Sequence, residues 1–304
     1  EEWTEAYLDR GMSMVQRDKN HPSVIVWSMG NESGDGRNFR KLYEEIKKYD
    51  PSRPVHYEDS RKKVPVPDIP VEELVPASQY DIVSNMYASP AEMVKLHRQN
   101  PSRPVILCEY VHAMGNSCGG VADYWDTIYA YPRMQGAFVW DWVDQGLRKR
   151  NDKGESFFAY GGDFGDFPND GSFCLDGLVN PDRIKHPQLD EIRKVYQPVR
   201  FRAVNLAEGK IAVTNLLAFT NLDEYDCFWT VKSNGGIVAA GKLAAVRATP
   251  YETREIVVPV RDLSLSPTQE YFLMVSFNLK TSVPWAEAGY AVAFEQFPLN
   301  RRPA

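Results

Sequence analysis

In Val24-Ile25-Val26-Trp27-Ser28-Met29-Gly30-Asn31-Glu32, an apolar segment that is rich in Val and Ile ends at a glutamate. A second segment, Val105-Ile106-Leu107-Cys108-Glu109, repeats that pattern. Short apolar runs that contain β-branched residues and stop at a polar residue are typical of buried strands. Each carboxylate is therefore predicted to stand where a strand leaves its sheet, and barrel enzymes carry their catalytic residues at that position.

The composition is that of a globular protein long enough for two domains. The chain has 304 residues, of which 43% are hydrophobic and 25% are charged. Its 41 acidic residues exceed its 35 basic residues, so the net charge is −6 and no basic cluster marks a nucleic-acid surface. No apolar run is long enough to cross a bilayer. Neither nucleic acid nor membrane is a predicted partner.

The cysteines and the aromatic residues give weaker indications. Cys108, Cys118, Cys174 and Cys227 form no CxxC pair and have no regular spacing, so the sequence predicts neither a zinc site nor a disulfide framework. Aromatic residues make up 12% of the chain. That content suits a carbohydrate site, where flat rings cover the C–H faces of sugars, and it suits a large core equally well.

Residues 1–196 alternate between strand and helix patterns, which predicts a parallel sheet with helical crossovers. The strand segments are Val24–Met29, Val55–Tyr57, Ile82–Met86, Val105–Cys108 and Gly136–Trp140. A closed (β/α)8 barrel has eight strands, so the prediction is a TIM-type α/β barrel that lacks its first strands. Residues 151–185 are rich in Gly, Asp, Asn and Pro and also contain aromatic residues, and they are predicted to form a long active-site loop region.

Residues 197–304 show a different pattern. Short segments of alternating polarity are joined by turn sequences such as Ser233-Asn234-Gly235-Gly236. About six or seven strands in roughly 100 residues are typical of an immunoglobulin-like β-sandwich. The predicted fold class is therefore α/β plus all-β, with the catalytic barrel in residues 1–196 and the sandwich in residues 197–304.

Several longer motifs follow one another along the chain. They are Arg17-Asp18-Lys19-Asn20-His21-Pro22-Ser23-Val24, Trp27-Ser28-Met29-Gly30-Asn31-Glu32-Ser33-Gly34, Asp50-Pro51-Ser52-Arg53-Pro54-Val55, Ile106-Leu107-Cys108-Glu109-Tyr110-Val111-His112-Ala113-Met114-Gly115-Asn116-Ser117, Gly136-Ala137-Phe138-Val139-Trp140-Asp141-Trp142-Val143-Asp144-Gln145, Tyr160-Gly161-Gly162-Asp163-Phe164-Gly165-Asp166 and Pro284-Trp285-Ala286-Glu287-Ala288-Gly289-Tyr290. Together they resemble the β-galactosidases of glycoside hydrolase family 2, the large bacterial lactase type. The similarity covers the later part of the catalytic barrel and the sandwich domain that follows it.

This resemblance implies hydrolysis of terminal non-reducing β-D-galactose residues with retention of configuration. Double displacement needs one carboxylic acid that protonates the leaving oxygen and a second carboxylate, about 5–5.5 Å away, that attacks the sugar. By resemblance, Glu32 is the acid/base and Glu109 is the nucleophile, although a glutamate at a strand end can also simply cap the next loop or helix. Tyr87 is implied to place its hydroxyl beside Glu109, and its structural alternative is a half-buried core tyrosine.

The resemblance also implies three residues that bind the sugar. Asn31 is implied to hydrogen-bond the 2-hydroxyl, His112 to contact the galactosyl group, and Trp140 to lie under the galactose ring. Each has a structural alternative, namely a turn residue, a histidine satisfied by loop carbonyls, and barrel packing. Packing is a strong alternative for Trp140 because Trp142, two residues away, points to the same side of an ideal strand.

Two cations, Na⁺ and Mg²⁺, are implied in the same way. Phe173 and Asp176 stand where the family offers a backbone oxygen and a side-chain oxygen to sodium. These two residues form a partial sodium site. The usual side chain at the second position is Asn, and a carboxylate also ligates a hard cation. The family's magnesium site combines the acid/base glutamate with a Glu and a His from an earlier strand. Only Glu32 can be matched to it, so the magnesium site is incomplete in this chain.

Two other functions stay open at this point. One is a family relative with another sugar preference, such as a glucuronidase or a mannosidase, and the other is a non-catalytic fragment or a structural carbohydrate-binding module. A glucuronidase needs cationic side chains to bind the carboxylate of its substrate, and the sequence motif of residues 109–117 argues against it. Because an open barrel exposes strand edges, the chain is predicted to be a homo-oligomer or part of a longer polypeptide. The N-terminus, Glu1–Glu5, has neither the basic start nor the apolar core of a signal peptide. That absence says little about the compartment, which stays open with the cytoplasm slightly favoured.

Overall fold

The computed structural model of the protein describes residues 2–34, 36–58, 67, 69–70, 72, 79–266 and 268–300. The chain divides into two compact units, Glu1–Glu191 and Ile192–Ala304, which are described separately. Within these described ranges, the helices lack the combination of length and apolar character that crossing a membrane requires.

The first unit alternates helices with strands. Its elements are α1 (Thr4–Asp18), β1 (Trp27–Asn31), α2 (Arg37–Tyr49), β2 (Val55–Glu58), β3 (Val83–Met86), α3 (Pro90–Gln99), β4 (Val105–Tyr110), α4 (Val121–Ala130), β5 (Met134–Val139), β6 (Leu147–Arg150), β7 (Ser156–Ala159) and α5 (Gln188–Val195), the last of which runs across the division between the units. β1 and β2 pair in parallel, and β3, β4 and β5 form a second parallel sheet with β4 at its centre. The predicted parallel pairing of the strand segments is confirmed.

Most predicted strand boundaries shift by one to three residues, and two differences from the prediction are informative. The strand predicted from Val24 begins at Trp27, because the Val24 carbonyl accepts a hydrogen bond from Arg53 Nε at 2.7 Å and Ile25 is 72% exposed. The segment 151–185, which was predicted to be a loop, contains β7, which pairs antiparallel with β6. The apolar run that begins at Val24 is therefore longer than its strand, and the polar segment 151–185 contains a strand that its composition did not predict.

The two faces of β2 have different neighbours. Val55 and Tyr57 are fully buried on one face, where the Tyr57 ring stacks on Phe39 of α2 with ring centroids 4.0 Å apart. Successive side chains of a strand point to opposite faces. His56 and Glu58 therefore lie on the other face of β2. There they contact side chains from β1, β3 and β4.

Asp50, which follows α2, joins the helix layer to the sheet. Its Oδ2 accepts hydrogen bonds from Trp27 Nε1 at 2.9 Å and from Arg53 Nη1 at 2.6 Å, and its Oδ1 accepts from the Ser52 main chain at 3.0 Å. The Ser52 hydrogen bonds, followed by that of Trp27, hold the pKa of the Asp50 carboxyl well below its usual range. The Asp50-to-Pro54 motif thus has a structural role, because its hydrogen bonds hold the start of β1 next to the residues that precede β2.

We predict that Asp50→Asn destabilises the protein by about 1.5–3 kcal/mol, the usual loss for hydrogen bonds to a charged group. Because the folded-state pKa of Asp50 is depressed, its stabilisation is present above the unfolded pKa of about 3.9 and is lost as the pH falls further. The measurement is urea unfolding of both proteins at several pH values.

The stability difference between the two proteins should shrink as the pH falls below about 4. Asp9→Asn, on an exposed position of α1, serves as the control and should change stability by less than about 0.5 kcal/mol. An Asp50→Asn deficit that is independent of pH would contradict the assigned role.

The second unit is a two-sheet β-sandwich. Its strands are β8 (Val199–Asn205), β9 (Lys210–Asn215), β10 (Tyr225–Ser233), β11 (Gly236–Lys242), β12 (Thr253–Val257), β13 (Tyr271–Leu279) and β14 (Ala291–Asn300). One sheet has the order β11-β10-β13-β14 and the other has the order β12-β9-β8. Alternate residues of the strands are buried in one apolar core, as Cys227, Trp229 and Val231 of β10 illustrate.

The predicted turn between β10 and β11 is confirmed. Asn234 and Gly235 both have positive φ values, 50° and 79°, and they connect two antiparallel strands. Two consecutive residues of positive φ define the tight hairpin turn that Asn-Gly favours, since its twist matches that of the flanking strands.

Candidate active site

Main-chain hydrogen bonds tie the carboxyl ends of neighbouring strands together. The Glu32 amide, after β1, donates to the Glu58 carbonyl of β2 at 3.1 Å. The Tyr87 amide, after β3, donates to the Glu109 carbonyl of β4 at 2.9 Å, and the Trp140 amide, after β5, donates to the last carbonyl of β4 at 3.2 Å. The predicted site residues therefore emerge from strand ends that are already fixed in pairs.

Three residues directly after strands adopt left-handed backbone conformations. They are Glu32 with φ 50°, Tyr87 with φ 55° and Val111 with φ 43°. This region is sparsely populated by residues other than glycine, and for a β-branched residue such as valine it is an outlier. Backbone strain of this kind persists only where the surroundings enforce it, and it concentrates at functional sites.

Tyr87 and Glu109 form the central contact of the site. The Tyr87 hydroxyl donates a hydrogen bond to Glu109 Oε2 at 2.9 Å. Partial burial, followed by the neighbouring Glu109 carboxylate, raises the pKa of Tyr87 well above its usual range. The phenol consequently keeps its proton and acts as a donor to the carboxylate across the physiological pH range.

A buried carboxylate organises the next group of residues. Asp176 is 2% exposed, and its Oδ2 accepts a hydrogen bond from Trp140 Nε1 at 3.0 Å and lies 3.7 Å from His112 Nε2. Trp140 is 37% exposed, so this hydrogen bond fixes an indole ring that stays partly accessible. Asp176 thereby orients the indole ring after β5 and places a carboxylate beside the imidazole after β4.

Ring contacts connect these two groups. The His112 ring lies 6.2 Å from that of Tyr87 and 5.5 Å from that of Phe173, measured between centroids. Six of the predicted site residues are thereby brought together in what we call the Glu109 cluster. The members of the Glu109 cluster are Tyr87, Glu109, His112, Trp140, Phe173 and Asp176.

Asn31 and Glu32 reach the same end of the sheets through β2. Asn31 is in register with Glu58, and Glu58 Oε2 accepts a hydrogen bond from Cys108 Sγ at 3.3 Å. Cys108 immediately precedes Glu109. One residue of β2 therefore contacts the strand end that carries Glu32 and the strand end that carries Glu109.

Glu58 was missed by the sequence reasoning. It is 1% exposed, and a carboxylate that is so deeply buried needs specific partners. A signal was present, because Glu58 closes the short strand Val55–Glu58 just as Glu109 stands near the end of its own strand. The predicted strand Val55–Tyr57 ends one residue before it.

Asp176 is the residue that best fits a hard cation. Its Oδ1 is buried and has no hydrogen-bond partner among the residues that the structure describes. An orphaned carboxylate oxygen next to a partly polar site is a suitable ligand for sodium. For magnesium, the resemblance assigns Glu32 alone, so the site expected by resemblance stays incomplete.

The fold and the site together define an α/β domain of parallel strands whose ends carry carboxylates, followed in the chain by a β-sandwich. Residues 1–201 match the model of the glycosyl hydrolases family 2 TIM barrel domain, and residues 211–300 match that of β-galactosidase domain 4. The chain belongs to glycosyl hydrolase family 2.

Two relatives illustrate the extent of the match. The chain is 46% identical over 305 residues to a β-galactosidase of Priestia megaterium, covering 100% of this chain and 28% of that protein. It is 42% identical over 300 residues to β-galactosidase 2 of Enterobacter cloacae, covering 98% of this chain and 29% of that protein. The chain thus spans under a third of the length of these relatives.

Among solved structures, a β-glycosidase of Bacteroides vulgatus matches with a TM-score of 0.43 and 14% identity, covering 97% of this chain and 39% of that chain. A similarity at this level carries no weight here. Family membership rests on the sequence matches.

We predict that Tyr87 titrates far later than an ordinary tyrosine, whose pKa is about 10. Alkaline absorbance titration of the wild type minus that of Tyr87→Phe isolates this one phenol, and its midpoint should lie above 10. Glu109→Gln should move the midpoint down, because it removes the negative charge, while the contribution of burial stays. A midpoint that does not respond to Glu109→Gln would contradict the contact.

Proposed function

We propose that this chain is the catalytic region of a retaining β-galactosidase. The proposal is supported above all by the Tyr87 hydroxyl on Glu109 Oε2 at 2.9 Å, at the end of a parallel strand. A phenol aimed at a carboxylate in that position suits a nucleophile that must be oriented before it attacks and stabilised when it departs. Membership of family 2 and the names of the two relatives support the galactoside specificity.

In the proposed first step, Glu109 attacks the anomeric carbon while Glu32 gives its proton to the glycosidic oxygen. The bond from the sugar to that oxygen breaks, the alcohol leaves, and a galactosyl ester on Glu109 forms. In the second step, the ionised Glu32 takes a proton from water, which attacks the same carbon and releases galactose. Both carboxyl groups return to their starting protonation states.

The other residues bind and orient. Tyr87 donates its hydrogen bond to Glu109 when that group is ionised, so the contact strengthens as the ester breaks. Asn31 is assigned to the sugar 2-hydroxyl, where a hydrogen bond strengthens in the transition state. Trp140 is assigned to the galactose ring and His112 to the galactosyl hydroxyl groups, and Asp176 positions both side chains.

The finer details of the fold belong to the same proposal. We assign residues 1–196 to the later part of a (β/α)8 barrel that lacks its first strands, with an active-site loop region at 151–185. Residues 197–304 are assigned to an immunoglobulin-like sandwich. Among the described residues, β1 pairs with β2 alone, so its other edge is available to a further strand. This edge supports a homo-oligomer or a longer polypeptide as the working form.

Sodium is the cation that the site supports. Asp176 Oδ1 and the Phe173 carbonyl are its assigned ligands, and the ion would supply positive charge next to a sugar hydroxyl. The carboxylate of Asp176, where the family has Asn, also balances more of that positive charge.

We predict that sodium raises the thermal midpoint of the wild type more than potassium does at equal ionic strength, because a ligand of the folded state stabilises it by mass action. Asp176→Leu should abolish the sodium-specific shift. It should also cost about 1–3 kcal/mol, since Trp140 Nε1 is left without its acceptor. An equal sodium response in both proteins would rule out Asp176 as a ligand.

The proposed activity can be tested in the isolated chain and in a chimera. In the chimera, this chain replaces the matching region of the Priestia megaterium β-galactosidase, which supplies the surrounding parts. Both proteins are assayed with a panel of nitrophenyl glycosides after size-exclusion chromatography confirms folding. We expect the chimera to hydrolyse the β-galactoside far faster than the β-glucuronide or β-mannoside. A folded chimera that prefers either of the other two sugars defeats the proposed specificity.

The two carboxylates can be distinguished in that chimera. Glu32→Ala should lower kcat by roughly 10²–10⁴-fold, and the loss should be smallest for leaving groups that need no protonation. Added azide should rescue this variant and yield the β-galactosyl azide. Glu109→Ala should lose more activity for every leaving group, and its rescued product should be the α-galactosyl azide. Exchange of these two outcomes would reverse the roles.

A further inference from the structure

Outside the Glu109 cluster, three metal-ligating side chains converge on the polar face of β2. His56 and Glu58 lie on the same face of that strand, and Cys108 reaches them from β4. One ligand atom from each residue lies within 4.8 Å of the other two. Glu58 is 1% exposed and the other two side chains are half-buried. The donors therefore sit on rigid strands and are largely removed from water.

The distances are close to those of a bound metal ion. Cys108 Sγ and Glu58 Oε2 are 3.3 Å apart. Two ligands of a tetrahedral zinc ion, at about 2.3 Å for sulfur and about 2.0–2.2 Å for oxygen, stand roughly 3.5 Å apart. The pair needs almost no movement, and the histidine nitrogen, which lies within 4.8 Å of both atoms, has to move closer to complete a three-ligand site.

The imidazole already has a hydrogen-bonding partner on each side. His56 Nδ1 lies 2.8 Å from Ser28 Oγ, and Nε2 lies 2.8 Å from Ser84 Oγ. With Nδ1–H donating to Ser28, Nε2 presents its lone pair toward Ser84. Metal-ligating histidines are regularly oriented by a hydrogen bond on their other nitrogen. The Ser84 hydroxyl can rotate aside or stay as a hydrogen-bond donor to the new ligand sphere.

We propose that His56, Glu58 and Cys108 form a binding site for a borderline-soft divalent transition metal of the zinc class. On binding, the Cys108 S–H bond breaks, its proton goes to solvent, and a metal–thiolate bond forms. The three protein ligands leave a fourth position for water or for the Ser84 hydroxyl. A thiolate and an imidazole select against magnesium, which prefers oxygen ligands.

This site is separate from the two cation positions considered above. It shares no residue with the Phe173 and Asp176 pair or with Glu32. Its ligands come from strands that the sequence separates by 50 residues, as in the Cys108 and Glu58 hydrogen bond. Cysteine spacing could not predict it, because each ligand segment contributes a single cysteine or none.

Cobalt(II) is the probe that tests the site in the full 304-residue chain, kept reduced with a phosphine. One equivalent of Co²⁺ should produce a thiolate-to-cobalt charge-transfer band in the near ultraviolet. It should also produce d–d bands in the visible region with the high intensity of tetrahedral Co²⁺. Zn²⁺ should abolish both by competition, whereas excess Mg²⁺ should not. A folded chain without a charge-transfer band at stoichiometric Co²⁺ would overturn the proposal.

Matched variants assign the ligands. Cys108→Ser should remove the charge-transfer band and weaken binding by roughly 100-fold or more, since even a lost partner of a ligand costs roughly 10- to 100-fold. Cys174→Ser changes a cysteine that is also half-buried, and it should keep both the band and the affinity. His56→Gln retains hydrogen-bonding capacity and should weaken binding while the circular dichroism spectrum stays native. A band that survives Cys108→Ser, or that disappears with Cys174→Ser, refutes the assignment.

A second measurement uses the unaltered sequence and needs no variant. Alkylation of each cysteine by iodoacetamide is followed by peptide mass mapping, with and without one equivalent of Zn²⁺. Because the thiolate is both the nucleophile and the metal ligand, zinc should slow the modification of Cys108 by at least about tenfold and leave that of Cys174 unchanged. Equal rates with and without zinc at Cys108 would refute the site.

Discussion

The whole arrangement depends on Glu58, which ties two strand ends to each other. Its main-chain carbonyl receives the Glu32 amide and its carboxylate receives the Cys108 thiol. Glu109 follows Cys108 directly. Glu58 therefore contacts the chain segments of both carboxylates of the proposed mechanism, one through its main chain and the other through its side chain. Burying a carboxylate is costly without partners, and this cost is what makes the contacts around Glu58 specific. The parallel direction of the strands then brings the side chains to a common end.

The outer layer keeps that end in place. Val55 and Tyr57 on the helix side of β2 are fully buried, and Tyr57 stacks on α2. Asp50 fastens the exit of α2 to Trp27 and Arg53, at the start of β1 and just before β2. Apolar packing on one face thus holds the strands, while polar residues on the other face carry the chemistry. Glu32 and Tyr87 have strained backbone conformations directly after β1 and β3, where the chain leaves each strand.

The sequence allowed much of the framework to be predicted. Apolar runs identified the parallel strands, and the Asn-Gly turn of the second unit formed where its residue types demand positive φ. The predicted start of β1 at Val24 was wrong. Val24 is apolar, but its carbonyl accepts a hydrogen bond from Arg53 instead of from a neighbouring strand. Glu58 and the metal-ligating group were missed for a related reason. Their partners are far away in the chain, and only the folded sheet brings them together. The roles of Glu32, Asn31, Trp140 and His112 came from resemblance, and they stay predictions.

The central claim is that Glu109 is the residue that forms a covalent bond with the sugar. The most direct measurement is to trap the chimera with a 2-deoxy-2-fluoro-β-galactosyl fluoride and to map the label by peptide mass spectrometry. The account predicts a single 2-fluorogalactosyl ester in the peptide that contains Glu109, and no label after Glu109→Ala. A label on Glu32, or on any other residue, would contradict it.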